Sequence, residues 1–325
     1  MGKQLRQRLG LCFGMVAIAL FMACGVASNA ELQSLNVDGE LLRSHLRTLA
    51  TERYNTSDLA RTSAYLTQQL RAYGYDPILQ EFGTGDSAGT NVSVLRPGTQ
   101  TPDQKILVGA HYDTVAGSPG ADDNASAVAT ALEIARIFAN TPTEKTLQVV
   151  FFDQEEQQPN GEGLLGSHAF ANQPANLTGL NSAVILEMLG YGCYEPGCQT
   201  YPPGLDLYNL PSQGDFISVI GNIDAPELLA TFATPTDDLQ TAATALQSLT
   251  LPVPIDESSA IPDLFRSDHV PFWENGIGAV MISDTANFRN PHYHQPSDTV
   301  ENLDMAFLEK TATFVVERLE KLLQE

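Results

Sequence analysis

Lys105-Ile-Leu-Val-Gly-Ala-His-Tyr-Asp113 is an apolar run that ends abruptly in an imidazole and a carboxylate. A strand exposed on one side alternates apolar and polar residues, whereas an unbroken apolar run marks a strand covered on both faces, as in a parallel sheet. Similar runs recur at Leu147–Phe152 (Leu-Gln-Val-Val-Phe-Phe), Ala183–Met188 and Ala279–Ser283. Pro77–Phe82 and Asn91–Leu95 alternate instead, as half-exposed strands do. Helical spacing of apolar residues appears at Leu41–Ala50, at Ser57–Tyr73 just before Gly74, at Ser126–Ala139 and at Asn302–Leu323. Strands interleaved with helices predict an α/β fold: a mixed, mostly parallel central sheet with helices on both faces, in three layers. The stretch from Gly192 to Asp263 is Pro-rich and reads as an irregular loop insertion over the sheet, with helical patches at Ala225–Phe232 and Thr241–Leu249. Residues 31–325 are therefore expected to form a single domain with a loop insertion at about 192–263.

The 325 residues carry 39 acidic against 17 basic side chains, a formal net charge of −22. Such a field repels phosphate backbones, which argues against nucleic acid as a partner. The first residues differ in kind. Lys3, Arg6 and Arg8 precede an apolar run from Leu9 to Ala23, too short for a confident membrane span, and Ser28-Asn29-Ala30 supplies small residues for cleavage. Residues 1–30 read as a secretory leader, with a lipoprotein leader acylated at Cys24 as the alternative. The expected location is outside the cytosol, secreted or periplasmic, without membrane contact beyond such an anchor. Cys193 and Cys198 flank the turn-forming Tyr194-Glu195-Pro196-Gly197, and in an oxidising compartment a local disulfide is the default expectation.

Ligands of an open α/β sheet bind beyond the carboxyl ends of its strands. His111 and Asp113 follow the first buried run; Asp122, Asp123 and Asn124 lead into the next helix. Asp153, Glu155 and Glu156 follow the second run, Glu187 ends the third, and Asn290-Pro291-His292-Tyr293-His294 lies beyond the fourth. A lone histidine or a Glu-Glu pair is ordinarily surface or hydrogen-bonded structure. Five or six acids and imidazoles on one rim would repel and titrate abnormally without a cation. Mixed nitrogen and carboxylate donors suit zinc better than calcium or magnesium.

The ordered set His111-Tyr-Asp-Thr114, Gly120-Ala-Asp-Asp-Asn-Ala-Ser126, Phe151-Phe-Asp-Gln-Glu-Glu156, Leu186-Glu-Met-Leu-Gly-Tyr191, Ser267-Asp-His-Val-Pro-Phe272 and Tyr293-His-Gln-Pro-Ser-Asp-Thr299 resembles the zinc aminopeptidase family, which includes secreted leucyl aminopeptidases, glutamate carboxypeptidases and glutaminyl cyclases. The resemblance runs from about Glu52 to the terminal helix and implies a zinc-peptidase-like sandwich acting on peptide or protein substrates. It implies two zinc ions, one held by His111 and Glu187, the other by Glu156 and His294, with Asp123 as bridge. It implies Glu155 as general base, Asp113 as the hydrogen-bond partner of His111, and Tyr293 as a phenol near the oxyanion. Asp122 is an alternative bridge, His292 an alternative ligand, and Glu162 an alternative to the Glu155-Glu156 pair, because six residues, 157–162, are inserted before Gly163. Ser267-Asp268-His269 is expected to support the site from behind. A cyclase closing an N-terminal ring on one zinc is the alternative enzyme, and a non-catalytic binding member the alternative outside enzymology. Tyr191, Tyr208, Phe216, Phe265 and Trp273 are candidates for an apolar specificity pocket, against the commoner role of aromatics as core. Oligomeric state is not legible.

Overall fold

The structure, a computed structural model, describes residues 35–157, 161–205, 209–234, 246–255 and 260–325. The expected leader at 1–30 lies outside them. Leu35–Glu325 forms one compact unit. Its sheet has eight strands: β1 (Ile78–Phe82), β2 (Gly89–Arg96), β3 (Thr101–His111), β4 (Lys145–Phe152), β5 (Leu180–Glu187), β6 (Phe216–Asn222), β7 (Gln247–Val253) and β8 (Gly278–Ser283). They lie in the order β1-β2-β4-β3-β5-β8-β6-β7. The four central strands β4, β3, β5 and β8 run parallel, and these are the four continuous apolar runs of the sequence. β1 and β2 add antiparallel on one side, and β6 pairs antiparallel with β8 on the other.

Side chains alternate between two cores, as the two-residue repeat of a strand requires. Val108, Val149, Val184 and Val280 face the larger core, while Leu107, Val150, Ile185 and Met281 face the smaller. The larger core is closed by α1 (Gly39–Leu49), α2 (Thr56–Ala72), α3 (Ala127–Ala139) and the final helix α8 (Met305–Gln324). Asp38, Asn55 and Asp304 cap α1, α2 and α8, each accepting two backbone N–H groups of the first turn. The smaller core packs Phe152 against Phe170 of α4 (Leu165–Ala171) and Phe272 of α7 (Val270–Glu274), with α5 (Pro174–Leu177) following α4. Trp273 is also core there, its indole N–H donating to the Ala279 carbonyl at 2.9 Å.

The irregular reading of 192–263 needs correction. β6 and β7 pair in parallel and extend the sheet, with α6 (Pro226–Phe232) between them. The Phe216–Asn222 run is as apolar as its central neighbours, but the surrounding Pro and Gly residues obscure it. β7 carries Pro252, which an edge strand tolerates because no further partner needs its missing N–H. The expected helical patch at Thr241–Leu249 falls partly outside the described residues, and its last three residues are strand. Among the described residues no helix is long and apolar enough to cross a membrane. Cys193 and Cys198 are joined by a disulfide.

Candidate metal centre

The parallel strands β3, β4 and β5 end level with one another: His111 of β3 stands beside Phe152 of β4, and Glu187 is the last residue of β5, opposite Ser283 of β8. His111 and Glu187 therefore emerge at one sheet edge, where Glu155 and Glu156 also arrive from the turn after β4. Asp123 comes from the segment Ala121–Ser126 ahead of α3, which is not a regular helix: Asp123 and Asn124 leave helical φ/ψ, and the peptide between them is cis. Gly120 enters this segment at φ 61°, where a Cβ would run into the Asp123 carbonyl, so the turn needs glycine.

The segment is stitched to the end of β5. Asn124 donates to the Leu186 carbonyl and accepts from the Met188 N–H, and the Ser126 hydroxyl accepts the Leu189 N–H. Asp298 accepts the N–H groups of Asp122 and Asp123 at 2.9 and 3.1 Å. From below, Arg53, fully buried, donates to the carbonyls of Leu49, Thr51, Tyr112, Pro119 and Gly120. These supporting residues were given no role in the sequence reading. Arg53 reaches Tyr112 across 59 positions and Asp298 reaches Asp122 across 176, distances that local patterns do not report.

Asp123 divides its carboxylate between two imidazoles. Its Oδ1 lies 3.4 Å from His111 Nε2 and its Oδ2 lies 3.1 Å from His294 Nε2. His111 Nε2 is also 3.3 Å from Glu187 Oε1, and His294 Nε2 is 3.1 Å from Glu156 Oε1. Donor atoms around a tetrahedral zinc, each ~2.0–2.1 Å from the ion, stand roughly 3.3 Å from one another. The spacings here match that edge length on both sides of Asp123. The buried His294 Nε2, moreover, makes no hydrogen bond although two carboxylate oxygens are this close. Among the described residues two groups able to hold a cation result, His111 with Glu155 and Glu187, and Asp123 with Glu156 and His294. The donor set, nitrogen mixed with carboxylate oxygen, is one that zinc accepts.

The electrostatics point the same way. Burial opposes charge on His294, yet Asp123 and Glu156 outweigh it and push its imidazole up to about 10. Burial likewise opposes charge on His111, and Glu187 and Glu155 drive it well above its usual value. Burial raises Glu155 well above the carboxylate range and Glu156 to about 8. Asp123 goes the other way: burial is outweighed by the two imidazoles, which hold it below the ordinary range. The cluster is starved of positive charge.

Around it sit the supporting groups. Asp113, buried, lies 3.3 Å from His111 Nδ1 and accepts the N–H groups of Glu155 and Glu156, both at 3.0 Å. Ser267 donates to Glu187 Oε2 at 2.6 Å. Tyr293 stacks on His294 with ring centroids 3.7 Å apart. Asp268 is fully buried, and burial pushes its carboxyl up to about 7. His269 packs edge-on against Trp273 and donates from Nε2 to the Leu264 carbonyl at 3.0 Å.

The three alternatives are placed elsewhere. Asp122 turns away from the imidazoles, accepting from the Gly190 N–H and the Asn290 amide. His292 pairs with the Ser297 hydroxyl, and Glu162 accepts from the Ser87 hydroxyl at the surface. Of the inserted residues, 158–160 lie outside the described ones.

A cavity of about 490 Å³ opens onto both groups. Its wall is mostly apolar, with Leu205, Ile220, Leu249, Leu251, Leu264 and Met281, and among the described residues its aromatic lining is Tyr201, Phe288 and Tyr293. Of the five aromatics named as pocket candidates, four are described and none of those four lines the cavity: Phe216 and Trp273 are core, Phe265 packs on Trp273, and Tyr191 stacks edge-on with His292; Tyr208 lies outside the described residues.

Residues 91–318 match the model of peptidase family M28. The chain belongs to that family. An uncharacterized Escherichia coli protein, YfbL, is 35% identical over 211 residues, 61% of each chain. Aminopeptidase YwaD of Bacillus subtilis is 26% identical over 243 residues, 71% of this chain and 44% of that one. The alignments thus span about three fifths and under half of these relatives. In three dimensions the chain is similar to BSAP, a zinc aminopeptidase from Bacillus subtilis, with a TM-score of 0.67 over 90% of this chain and 97% of that one at 16% identity. That likeness shows the α/β fold read from the sequence.

Proposed function

We propose that the chain is an exported zinc aminopeptidase. The observation that carries this reading is the carboxylate of Asp123, split between His111 and His294 with every neighbouring donor one tetrahedral edge away. His111, Asp123 and Glu187 would hold one zinc; Asp123, Glu156 and His294 the other. When bound, the zinc pair supplies Lewis acidity, polarising a peptide carbonyl and lowering the pKa of water towards ~7.

The chain's own residues do the rest. Glu155 lines the cavity beside both donor groups without being needed as a ligand, its Oε2 4.0 Å from His111 Nε2. It takes a proton from the attacking water and delivers it to the departing amine. Asp113 fixes the backbone of Glu155 and Glu156 together and keeps His111 turned with Nε2 forward, as outer carboxylates do for ligating imidazoles. Tyr293, at the cavity wall beside His294, donates to the oxyanion of the tetrahedral intermediate. The apolar cavity accepts one side chain of the substrate and excludes water around it. A volume of about 490 Å³ suits a residue or two, which favours trimming a chain end over cutting within it. Both donor groups are complete, which favours hydrolysis over the one-zinc cyclase reaction and over a non-catalytic role. The disulfide between Cys193 and Cys198 is consistent with an oxidising compartment.

Metal analysis combined with turnover tests the proposal. The purified protein should carry about two zinc ions per chain, a stoichiometry expected of two-metal sites, and release leucine from a leucyl nitroanilide until a chelator is added. Glu155→Gln should retain the metal and lose roughly 10²–10⁴-fold in turnover, the range for a removed general base. A metal-replete E155Q protein that turns over at the wild-type rate would end this mechanism.

A further inference from the structure

The cavity wall holds one feature that trimming of apolar residues does not require. Among the described residues its acidic lining is Asp123, Glu155, Glu156, Glu187 and Asp263, and Arg266 is the one Lys or Arg that lines it. Arg266 immediately precedes Ser267, the residue that donates to Glu187, so its backbone is fixed against the metal centre. Its guanidinium is anchored twice. Nη2 donates to Asn287 Oδ1 at 2.7 Å, and Nη1 lies 3.3 Å from Asp263 Oδ1. Guanidinium presents five N–H donors in a rigid fork, so most remain for a ligand, and its side chain is 45% exposed. Phe288, which follows Asn287, and Tyr293 line the same cavity, so the anchored cation borders the space a substrate fills.

We infer that Arg266 reads a carboxylate on the substrate. Resting on the peptidase reading above, this gives the enzyme a preference for peptides that present a negative charge near the scissile bond. Two chemical sources fit: the free C-terminus of a dipeptide, or the side chain of an acidic N-terminal residue. Bidentate pairing of guanidinium with carboxylate is directional as well as strong, and the acids lining the cavity would otherwise repel either group. The exposed pair with Asp263 is a weak competitor, since surface ion pairs contribute little. Asn287 and Asp263 restrict the side chain and lower the entropy lost on binding.

The test compares kcat/KM of the zinc-loaded enzyme in two matched pairs: Leu-Gly against Leu-Gly-amide, and glutamyl against glutaminyl nitroanilide. The charged member of at least one pair should be preferred roughly 10- to 100-fold, the range for a hydrogen bond to a charged group. Preference confined to the first pair identifies the C-terminal carboxylate; confined to the second, the acidic side chain. Arg266→Gln should bring that ratio to near one, and Arg266→Lys should restore part of it. A wild type that turns over both pairs with ratios near one overturns the assignment alone, as does an R266Q protein that keeps the wild-type ratio. A wild type that hydrolyses none of the four substrates, nor the leucyl nitroanilide, overturns the peptidase reading and this assignment with it.

Discussion

Asp113 offers the sharpest test of how the site is held, because one buried carboxylate serves three groups. Both oxygens are taken, Oδ1 by the Glu155 N–H and Oδ2 by the Glu156 N–H, each at 3.0 Å, and Oδ1 also faces His111 Nδ1 at 3.3 Å. Asp113→Asn keeps the shape and removes the charge. Asn has one acceptor oxygen, so one of the two backbone N–H groups meets an NH₂ and is left buried without a partner, at a cost of about 1–3 kcal/mol. The other bond falls from charge-assisted, about 1.5–3 kcal/mol, to neutral, about 1 kcal/mol. Together the loss is about 1.5–5 kcal/mol of stability. Freed from Asp113, the Glu155–Glu156 backbone and the His111 ring lose their fixed aim, and losses of supporting partners typically cost 10–100-fold in metal affinity. Urea unfolding of the chelated protein reads the first number, and competitive zinc titration reads the second. A D113N protein with wild-type midpoint and wild-type zinc affinity would refute the reasoning, since neither the N–H pair nor the imidazole could then depend on the carboxylate.

Acid should destabilise the fold through His269. Its imidazole is fully buried and held down to about 4, against 6.5 when exposed, so the unfolded chain gains a proton first as pH falls. Stability from this group is complete above about pH 6.5 and is lost down to about pH 4, a difference of about 3 kcal/mol at 1.36 kcal/mol per unit. His269→Gln should weaken less than the wild type between pH 7 and pH 4, and equal losses in chemical denaturation would count against it. The disulfide between Cys193 and Cys198 precedes Thr200, Tyr201 and Pro202 of the cavity wall. Reducing it, or Cys198→Ser, should raise KM for large apolar N-terminal residues several-fold while zinc content stays constant; unchanged KM would detach the loop from substrate binding.

The central sheet was legible because β3, β4, β5 and β8 are buried on both faces and need apolar side chains throughout. β6 satisfies the same rule, yet its neighbourhood of Pro and Gly drew the reading towards loop; sheet membership there is decided by pairing with β8, a partner some sixty positions away in the chain. Of the site, the positions of His111, Asp123, Glu155, Glu156, Glu187 and His294 followed from strand ends and from family resemblance together. The pocket was read less well. Of the aromatic candidates, Phe216 and Trp273 took the commoner role in the core, where large rings bury the most area, and the described wall draws Ile220 from β6 and Leu249 and Leu251 from β7, the strands read least well, with Met281 from β8. The supporting roles of Asp298, Asn124 and Arg53 were not legible for a related reason: most of their bonds go to backbone atoms of distant segments.

Asp122 and Asp123 are adjacent and chemically identical, yet one is consumed by the Gly190 and Asn290 amides and the other faces both imidazoles. An engineer wishing to retune the cations cannot treat the dipeptide as two equivalent handles. Altering the first would loosen the Gly190 turn and unseat the loop that brings His294, whereas altering the second would change the donors and spare the scaffold, so the order of the two aspartates is itself part of the design.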